Sequence, residues 1–347
     1  MQLSRRRLLS WLAAAGLGGL VHGDSGNVRR KGFFGARAPA SPGLAYRDAA
    51  GRRKLLYELL GDLPDRQRPL GARLVKEEER DGYILETLEL DLNGIEPVPA
   101  YFARPREVAG RRPCIVFNHS HGGGYQIGKA EFVDGRSYLQ PEPYAKTLTA
   151  NGWSALAIDH WVFGERSHTS EADMFKAMLW QGHVLWGMMV YDSLRAVDYV
   201  ISRPDVDAER LGTLGISMGS TMAWWLAALD ERIRVTIDIC CLSEFHTLLQ
   251  EEGLRRHGIY YYVPSLLKHF TTSGINALIA PRPHLALAGR KDGLTPERGL
   301  DLIERELDKI YGELGVPEQW KLLRYDVAHQ ETAEGRAEIL RFLKRYL

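Results

Sequence analysis

The sequence has few cysteines, almost no net charge and no apolar run long enough to cross a membrane, and each lack excludes a class of protein. Its three cysteines, Cys114, Cys240 and Cys241, form neither a C-x-x-C pair nor a zinc spacing, which argues against a disulfide framework. The formal net charge of +1 disfavours nucleic acid and acidic membrane surfaces as partners. The apolar stretch at residues 8–21 is shorter than the roughly 20 residues of a transmembrane helix.

The N-terminus predicts an export signal over residues 1–25. Ser4 and the three arginines that follow it precede the short apolar stretch, and this order resembles the twin-arginine signal of bacteria. A retained membrane anchor and a chance pattern remain the alternatives. We therefore expect an exported protein, periplasmic or secreted, without stable membrane insertion after signal removal. Residues 26–70 then read as an N-terminal spacer and a helix.

Residues 71–347 predict an α/β catalytic domain. Turn signals at Asp81-Gly82 and Asn93-Gly94 separate short strands at the start of the domain, which we expect to pair antiparallel. Short apolar runs then alternate with helical stretches, which indicates a mostly parallel central sheet with helices on both faces. One such helical stretch covers residues 174–200 and includes Trp180 and Trp186, which we expect in the core. Residues 242–275 interrupt the alternation and predict a cap insertion after strand 6.

Ser217 is the predicted nucleophile. It lies in Gly215-Ile216-Ser217-Met218-Gly219, between an apolar strand and a helix, which is the setting that a G-x-S-x-G elbow requires. Glycines let the chain turn sharply there. The serine hydroxyl then stands at a helix N-terminus, where the helix dipole favours developing negative charge.

A serine nucleophile needs a base and an acid that orients the base. In this fold the chain order is serine, acid, histidine, and both partners follow strands. Asp292 follows the strand at residues 284–288 and is the predicted acid, with Asp326 in reserve. His329 follows the last strand and is the predicted base.

The loop after the first buried strand, residues 118–124, is rich in glycine and histidine. It predicts backbone N–H donors for an oxyanion, from His121 or Gly122, beside the amide of Met218. The pair His119 and His121 could instead bind a metal. No third ligand is anchored nearby in the sequence, so we expect neither a metal nor another cofactor.

These motifs resemble the α/β-hydrolase superfamily over residues 73–347. The loop at 119–123, the segment at 159–166 and residues 280–283 are similar to the acetyl xylan esterase and dienelactone hydrolase-like branch. The resemblance implies a serine esterase acting on small or carbohydrate acetyl esters. Dienelactone hydrolases proper carry cysteine at the elbow where this chain has Ser217, and Ser120 stands where related esterases usually carry glycine.

Three aromatic residues are predicted to contact substrate: Trp161 and Phe163, which follow a strand end, and Tyr261 in the cap. Ordinary packing is the alternative for each. The predicted function is hydrolysis of a carboxylic ester through an acyl-enzyme, with a small-molecule or carbohydrate ester as partner. A peptidase of the same fold and a catalytically silent binding protein are the competing hypotheses. The sequence does not predict an oligomeric state.

Overall fold

The computed structural model describes residues 48–107, 110–251 and 253–347. The predicted export signal and most of the predicted spacer lie outside these residues. The strands are β1 Gly71–Arg80, β2 Tyr83–Asp91, β3 Val98–Pro105, β4 Arg112–Asn118, β5 Ser154–Ile158, β6 Val206–Ile216, β7 Ile233–Ile239, β8 His284–Gly289 and β9 Trp320–Tyr325. The helices are α1 Ala49–Glu58, α2 Ala130–Asp134, α3 Tyr144–Ala150, α4 Glu171–Trp180, α5 Leu185–Ser202, α6 Met218–Leu229, α7 Phe245–Gln250, α8 Leu266–His269, α9 Thr272–Asn276, α10 Glu297–Glu313 and α11 Ala333–Tyr346.

The described strands form one nine-stranded sheet in the order β1-β2-β3-β5-β4-β6-β7-β8-β9. The first three strands pair antiparallel, and β3 also pairs antiparallel with β5. All later pairings are parallel. The predicted α/β-hydrolase fold, a mostly parallel sheet with an antiparallel opening, is therefore confirmed. The carboxyl ends of the parallel strands lie along one edge, where open α/β sheets bind ligands.

Hydrophobic cores lie on both faces of the sheet. Successive residues of β4 alternate between them: Cys114 and Val116 join one core, and Ile115 and Phe117 join the other. This alternation follows from the two-residue period of a strand. It also explains why the central strands read as continuous apolar runs, since both faces are covered by helices. Helix α1 belongs to this body, because Arg53 donates hydrogen bonds to the carbonyls of Ala228 and Leu278.

Three details of the prediction are wrong: the single helix at residues 174–200, the burial of Trp180 and the place of the insertion in the strand order. The helical stretch at residues 174–200 is two helices, α4 and α5, because the chain turns at Gly182 with φ at +83°. Trp186 is fully buried as expected, but Trp180 ends α4 and is 93% exposed. The insertion at 242–275 follows the seventh strand, since the antiparallel opening contributes three strands.

The insertion holds three short helices, α7, α8 and α9, together with 3₁₀ turns at Gly253–Arg256 and Ile259–Tyr261. It is anchored to the body beside α4, because the backbone N–H of Tyr260 donates to the Glu171 carboxylate at 3.1 Å. Among the described residues, no helix combines the length and the apolar character that a membrane crossing requires.

Candidate active site

Ser217 lies at the turn between β6 and α6 in a conformation that an L-residue rarely adopts, with φ at +60° and ψ at −120°. Its N–H donates to the carbonyl of Ile239 on the adjacent strand at 2.9 Å, which holds the turn to the sheet. Strained backbone of this kind persists only where the surrounding structure fixes it, and it collects at functional sites. The hydroxyl is therefore held at the N-terminus of α6.

The two glycines around Ser217 are required by close approach of the backbone. A Cβ on Gly215 would lie 2.4 Å from the backbone of Gly219. A Cβ on Gly219 would lie 1.9 Å from the carbonyl oxygen of Asn118 at the end of β4. Any side chain at these positions would force the elbow away from β4. The spacing of glycines in the motif is thus a steric consequence of packing the turn against the neighbouring strand.

Asp292 and His329 meet at the carboxyl ends of β8 and β9. The His329 Nδ1 lies 2.7 Å from Asp292 Oδ2, and the other oxygen of Asp292 accepts the backbone N–H of Leu294 at 2.9 Å. The Asp292 side chain is buried, with 1% exposure, whereas that of His329 is 22% exposed. A carboxylate at Nδ1 favours the tautomer with the proton on Nδ1, which leaves Nε2 as an acceptor. The Nε2 atom has no hydrogen-bond partner among the described residues.

Asp326, the reserve acid, is placed differently. Its carboxylate is 76% exposed and forms an ion pair with Lys291 at 2.8 Å. The structure thus pairs His329 with Asp292, as the sequence predicts, and leaves Asp326 on the surface.

The predicted oxyanion donors lie on two neighbouring elements. Met218 is the first residue of α6, so its N–H has no acceptor within the helix. His121 and Gly122 follow β4, and Gly122 has φ at +50°. His121 and Gly122 line the same cavity as Ser217 and His329. Backbone N–H groups beside the nucleophile are what a developing oxyanion requires.

The cavity has a volume of about 290 Å³ and combines residues from the core fold and the cap. Besides the residues already named, its walls include Tyr138 from the segment after α2, Cys241, Leu294, and the cap residues Arg256, His257 and Tyr260. Sequence reasoning did not identify Tyr138, Arg256 or His257 as cavity residues. None of the three carries a local motif, and Arg256 and His257 reach the site only because the cap folds back over the sheet edge in three dimensions.

The three predicted substrate contacts are not walls of this cavity. Trp161 and Phe163 are buried in the core. Phe163 packs edge-on against the His121 ring, with centroids 5.3 Å apart, so it supports the loop from behind. Tyr261 lines a separate apolar cavity of about 120 Å³ within the cap, and its neighbour Tyr260 faces the site instead. A strand-end aromatic can pack inward or face a ligand, and spacing alone does not distinguish the two.

The alternative metal site at His119 and His121 is not supported by the hydrogen bonds of the His119 ring. His119 Nδ1 lies 2.9 Å from the Ser120 carbonyl, and its Nε2 accepts the N–H of His160 at 3.2 Å, so both ring nitrogens are occupied. Burial lowers the pKa of His119 to about 4, which keeps the ring neutral. The His121 Nδ1 accepts the N–H of Gly123 at 3.1 Å. These histidines shape the loop.

One cluster of the described residues does have ligand spacing: Cys240, Asp292 and His329, whose donor atoms lie within 4.8 Å of one another. Two of its members already share the hydrogen bond described above. Burial is the main reason why the pKa of the Cys240 thiol is raised. The thiol therefore stays protonated and is a poor metal ligand. The cluster therefore fits a catalytic acid–base pair better than a metal centre.

Comparison with known proteins gives the family. The family model for acetyl xylan esterase (AXE1) matches residues 72–273. A relative from Bacillus subtilis (strain 168), provisionally assigned as the hydrolase YtaP, is 51% identical over 298 residues. The match covers 86% of this chain and 99% of the relative. The chain belongs to the acetyl xylan esterase family. For this AXE1 member, the prediction of a carboxylic ester hydrolase is confirmed.

Solved structures agree with this AXE1 assignment at the level of the fold. A protein from Bacteroides fragilis NCTC 9343, provisionally assigned as an acetyl xylan esterase, is 21% identical with a TM-score of 0.65, over 84% of this chain and 78% of that chain. A glucuronoyl esterase from Solibacter usitatus is 15% identical with a TM-score of 0.63, over 84% of this chain and 91% of that chain.

Proposed function

We propose that this AXE1 protein is a serine esterase that releases a small acyl group, such as acetyl, from a carbohydrate through a covalent acyl-enzyme. The observation that carries the proposal is that Ser217 and His329 line the same cavity, with His329 held by the buried carboxylate of Asp292. A strained serine at a helix N-terminus, a histidine with a free Nε2 and a buried acid behind it are the parts that nucleophilic catalysis needs.

Each group then has one role. The Ser217 oxygen attacks the ester carbonyl while Nε2 of His329 accepts the hydroxyl proton. Asp292 holds Nδ1–H and stabilises the imidazolium that forms. The N–H groups of Met218 and of His121 or Gly122 stabilise the negative oxygen of the tetrahedral intermediate. His329 returns its proton to the leaving alcohol, and water, activated by the same histidine, then cleaves the acyl-enzyme.

The dimensions and walls of the cavity favour a short acyl group and a polar alcohol. The volume of about 290 Å³ is at the small end for ligand sites, and it is shared between both parts of the ester. The guanidinium group of Arg256 and the aromatic rings of Tyr138 and Tyr260 line the cavity, and such walls suit a sugar better than an aliphatic chain. The name of the family and the provisional assignment of the Bacteroides fragilis protein as an acetyl xylan esterase point to the same acetyl ester chemistry.

A substrate screen tests this proposal. Purified enzyme is compared with Ser217→Ala and with the control Ser202→Ala, an exposed serine at the end of α5 whose hydroxyl donates to the carbonyl of Tyr199. We expect acetyl esters, above all acetylated sugars, to be hydrolysed faster than butyryl esters, and Ser217→Ala to lose roughly 10³-fold or more in kcat. Amide cleavage in preference to esters would favour a peptidase, and absence of any turnover would favour a binding protein.

The export signal predicted over residues 1–25 remains a proposal about location. It suits an enzyme whose carbohydrate substrate lies outside the cell. Fractionation of cells that produce the full chain, with and without Arg5→Lys and Arg6→Lys, tests it; an unchanged distribution would contradict the twin-arginine assignment.

A further inference from the structure

Beneath the loop that carries His121 lies a buried carboxyl group with no role in the mechanism above. Glu131 belongs to α2, and its side chain is fully inaccessible. Its Oε1 accepts the backbone N–H of Ser120 at 3.0 Å, and its Oε2 accepts the Ser120 hydroxyl. Arg136 and the Tyr138 hydroxyl approach the same Oε2 at 3.4 and 3.5 Å. The backbone N–H and the guanidinium can only donate, and both hydroxyls are able to donate, so this set of partners is matched to an ionised carboxylate.

This cluster holds the loop on both sides of His121. On one side, Glu131 binds the N–H and the hydroxyl of Ser120. On the other side, one guanidinium nitrogen of Arg136 donates a hydrogen bond to Glu131. The other donates to the carbonyl of Gly122 at 3.3 Å. A Cβ on Gly122 would lie 2.5 Å from both Arg136 and the Tyr138 hydroxyl, so the loop is packed directly onto the cluster. The peptide between these anchors is the one whose N–H is a candidate oxyanion donor.

We propose that ionised Glu131 is a positioning residue that holds the His121 N–H in the oxyanion hole, so that full activity requires deprotonated Glu131 as well as neutral His329. The inference rests on the proposed function, since it assigns a role within that same site. Glu131 itself does not contact substrate. It acts through Ser120 and Arg136 on the geometry of the loop.

The electrostatic surroundings place the titration of Glu131 in an accessible range. Burial raises its pKa to about 7, against the opposing effects of the Ser120 hydrogen bonds, Arg136 and Tyr138. On α3, which packs against α2, the titratable groups are Tyr144, whose hydroxyl is bound to Glu331, and Lys146, whose ammonium group is paired with Asp81. Below this pKa the carboxyl group takes up a proton. The oxygen that carries the proton becomes a hydrogen-bond donor and no longer accepts from the groups around it. The loop anchor is therefore present above about pH 7 and lost as the pH falls.

Two required deprotonations give a distinctive pH profile. When one group must lose a proton, log kcat/KM rises with pH at a limiting slope of one, and two groups give a slope of two. We expect a slope of two for the wild-type enzyme on an acetyl ester. Glu131→Gln, which fixes a neutral side chain of the same size, is expected to reduce the slope to one and to lower kcat by about ten-fold or more, with a smaller change in KM, because an oxyanion donor acts mainly in the transition state.

Asp134→Asn is the matched control. It makes the same charge change on the same helix, at an exposed position. Its slope, kcat and KM are expected to equal those of the wild type. A residue that served only the stability of α2 would change the thermal midpoint without changing the slope. A wild-type slope of one, or an unchanged slope in Glu131→Gln, would overturn the inference.

A second variant keeps the test decisive if Glu131→Gln does not fold by circular dichroism. Ser120→Ala removes one donor to the carboxylate but keeps the backbone N–H, so the pKa of Glu131 is expected to rise and the acidic limb to move to higher pH. An unmoved limb in this variant would contradict the inference. A wild-type enzyme that hydrolyses esters with a slope of one would leave the proposed function intact, whereas no ester hydrolysis at all would refute the function itself.

Discussion

Replacing Asp292 by asparagine removes one negative charge and converts one acceptor oxygen into an N–H donor at nearly constant size. In the structure, both oxygens of Asp292 accept: one from His329 Nδ1 at 2.7 Å and the other from the Leu294 N–H at 2.9 Å. An asparagine can satisfy only one of these donors. If its NH₂ faces His329, the imidazole must turn its acceptor nitrogen inward and place its proton toward Ser217, which is the wrong tautomer for a base.

The size of the effect follows from this geometry. The wrong tautomer and the missing charge behind the imidazolium together cost about 10³- to 10⁴-fold in kcat in serine triads, or about 4 to 5 kcal/mol of transition-state stabilisation. Asp326→Asn is the matched control, because it makes the same change three residues before His329 at a carboxylate that is 76% exposed and paired with Lys291 on the surface. We expect this control to stay within about two-fold of wild type, as surface ion pairs contribute little.

The assay is steady-state hydrolysis of an acetyl ester by both variants, with circular dichroism to confirm folding. Retention of more than about one-tenth of kcat in folded Asp292→Asn would refute the assignment of Asp292 as the orienting acid. A larger loss in Asp326→Asn than in Asp292→Asn would transfer that role to Asp326.

Two further predictions concern the elbow and metals. Gly219→Ala places a Cβ 1.9 Å from the Asn118 carbonyl, so it is expected to lower the free energy of unfolding by at least about 1–3 kcal/mol and to remove most activity, whereas Gly312→Ala in α10, where a Cβ meets open space, should be neutral or stabilising by thermal unfolding. Equal stability of the two variants would contradict the steric account. EDTA is expected to leave kcat/KM unchanged, because His329 Nδ1 is bound to Asp292 and the Cys240 thiol stays protonated. A loss of activity that added zinc restores would instead indicate a metal site at Cys240, Asp292 and His329.

The parts of the site that the sequence predicts are those with a local signal. Ser217 is marked by a steric requirement for glycine two residues away on each side. Asp292 and His329 each come within four residues of the end of a strand, and the carboxyl ends of these parallel strands share one edge of the sheet. The parallel pairing itself follows from strands buried on both faces. These features depend on neighbours in the chain, so they can be recognised without the structure.

The walls of the cavity could not be predicted in the same way. Arg256 and Tyr260 reach the site because the cap folds over the sheet edge, and no local pattern gives that path. Trp161, Phe163 and Tyr261 have the residue types of a substrate site, but packing against the core or within the cap competes for the same side chains. Glu131 was missed because a lone glutamate on a short helix has no motif; its importance comes from the four donors gathered around it.

The central claim is that Ser217 carries the acyl group during turnover. Rapid acid quench of the enzyme with an activated acetyl ester, followed by mass spectrometry of the peptides, tests it directly. We expect one acetyl adduct on Ser217 that forms in a burst. The adduct should be reduced or absent in Asp292→Asn and absent in Ser217→Ala. Hydrolysis at the wild-type rate by Ser217→Ala, or an adduct on another residue that turns over at the steady-state rate, would contradict it.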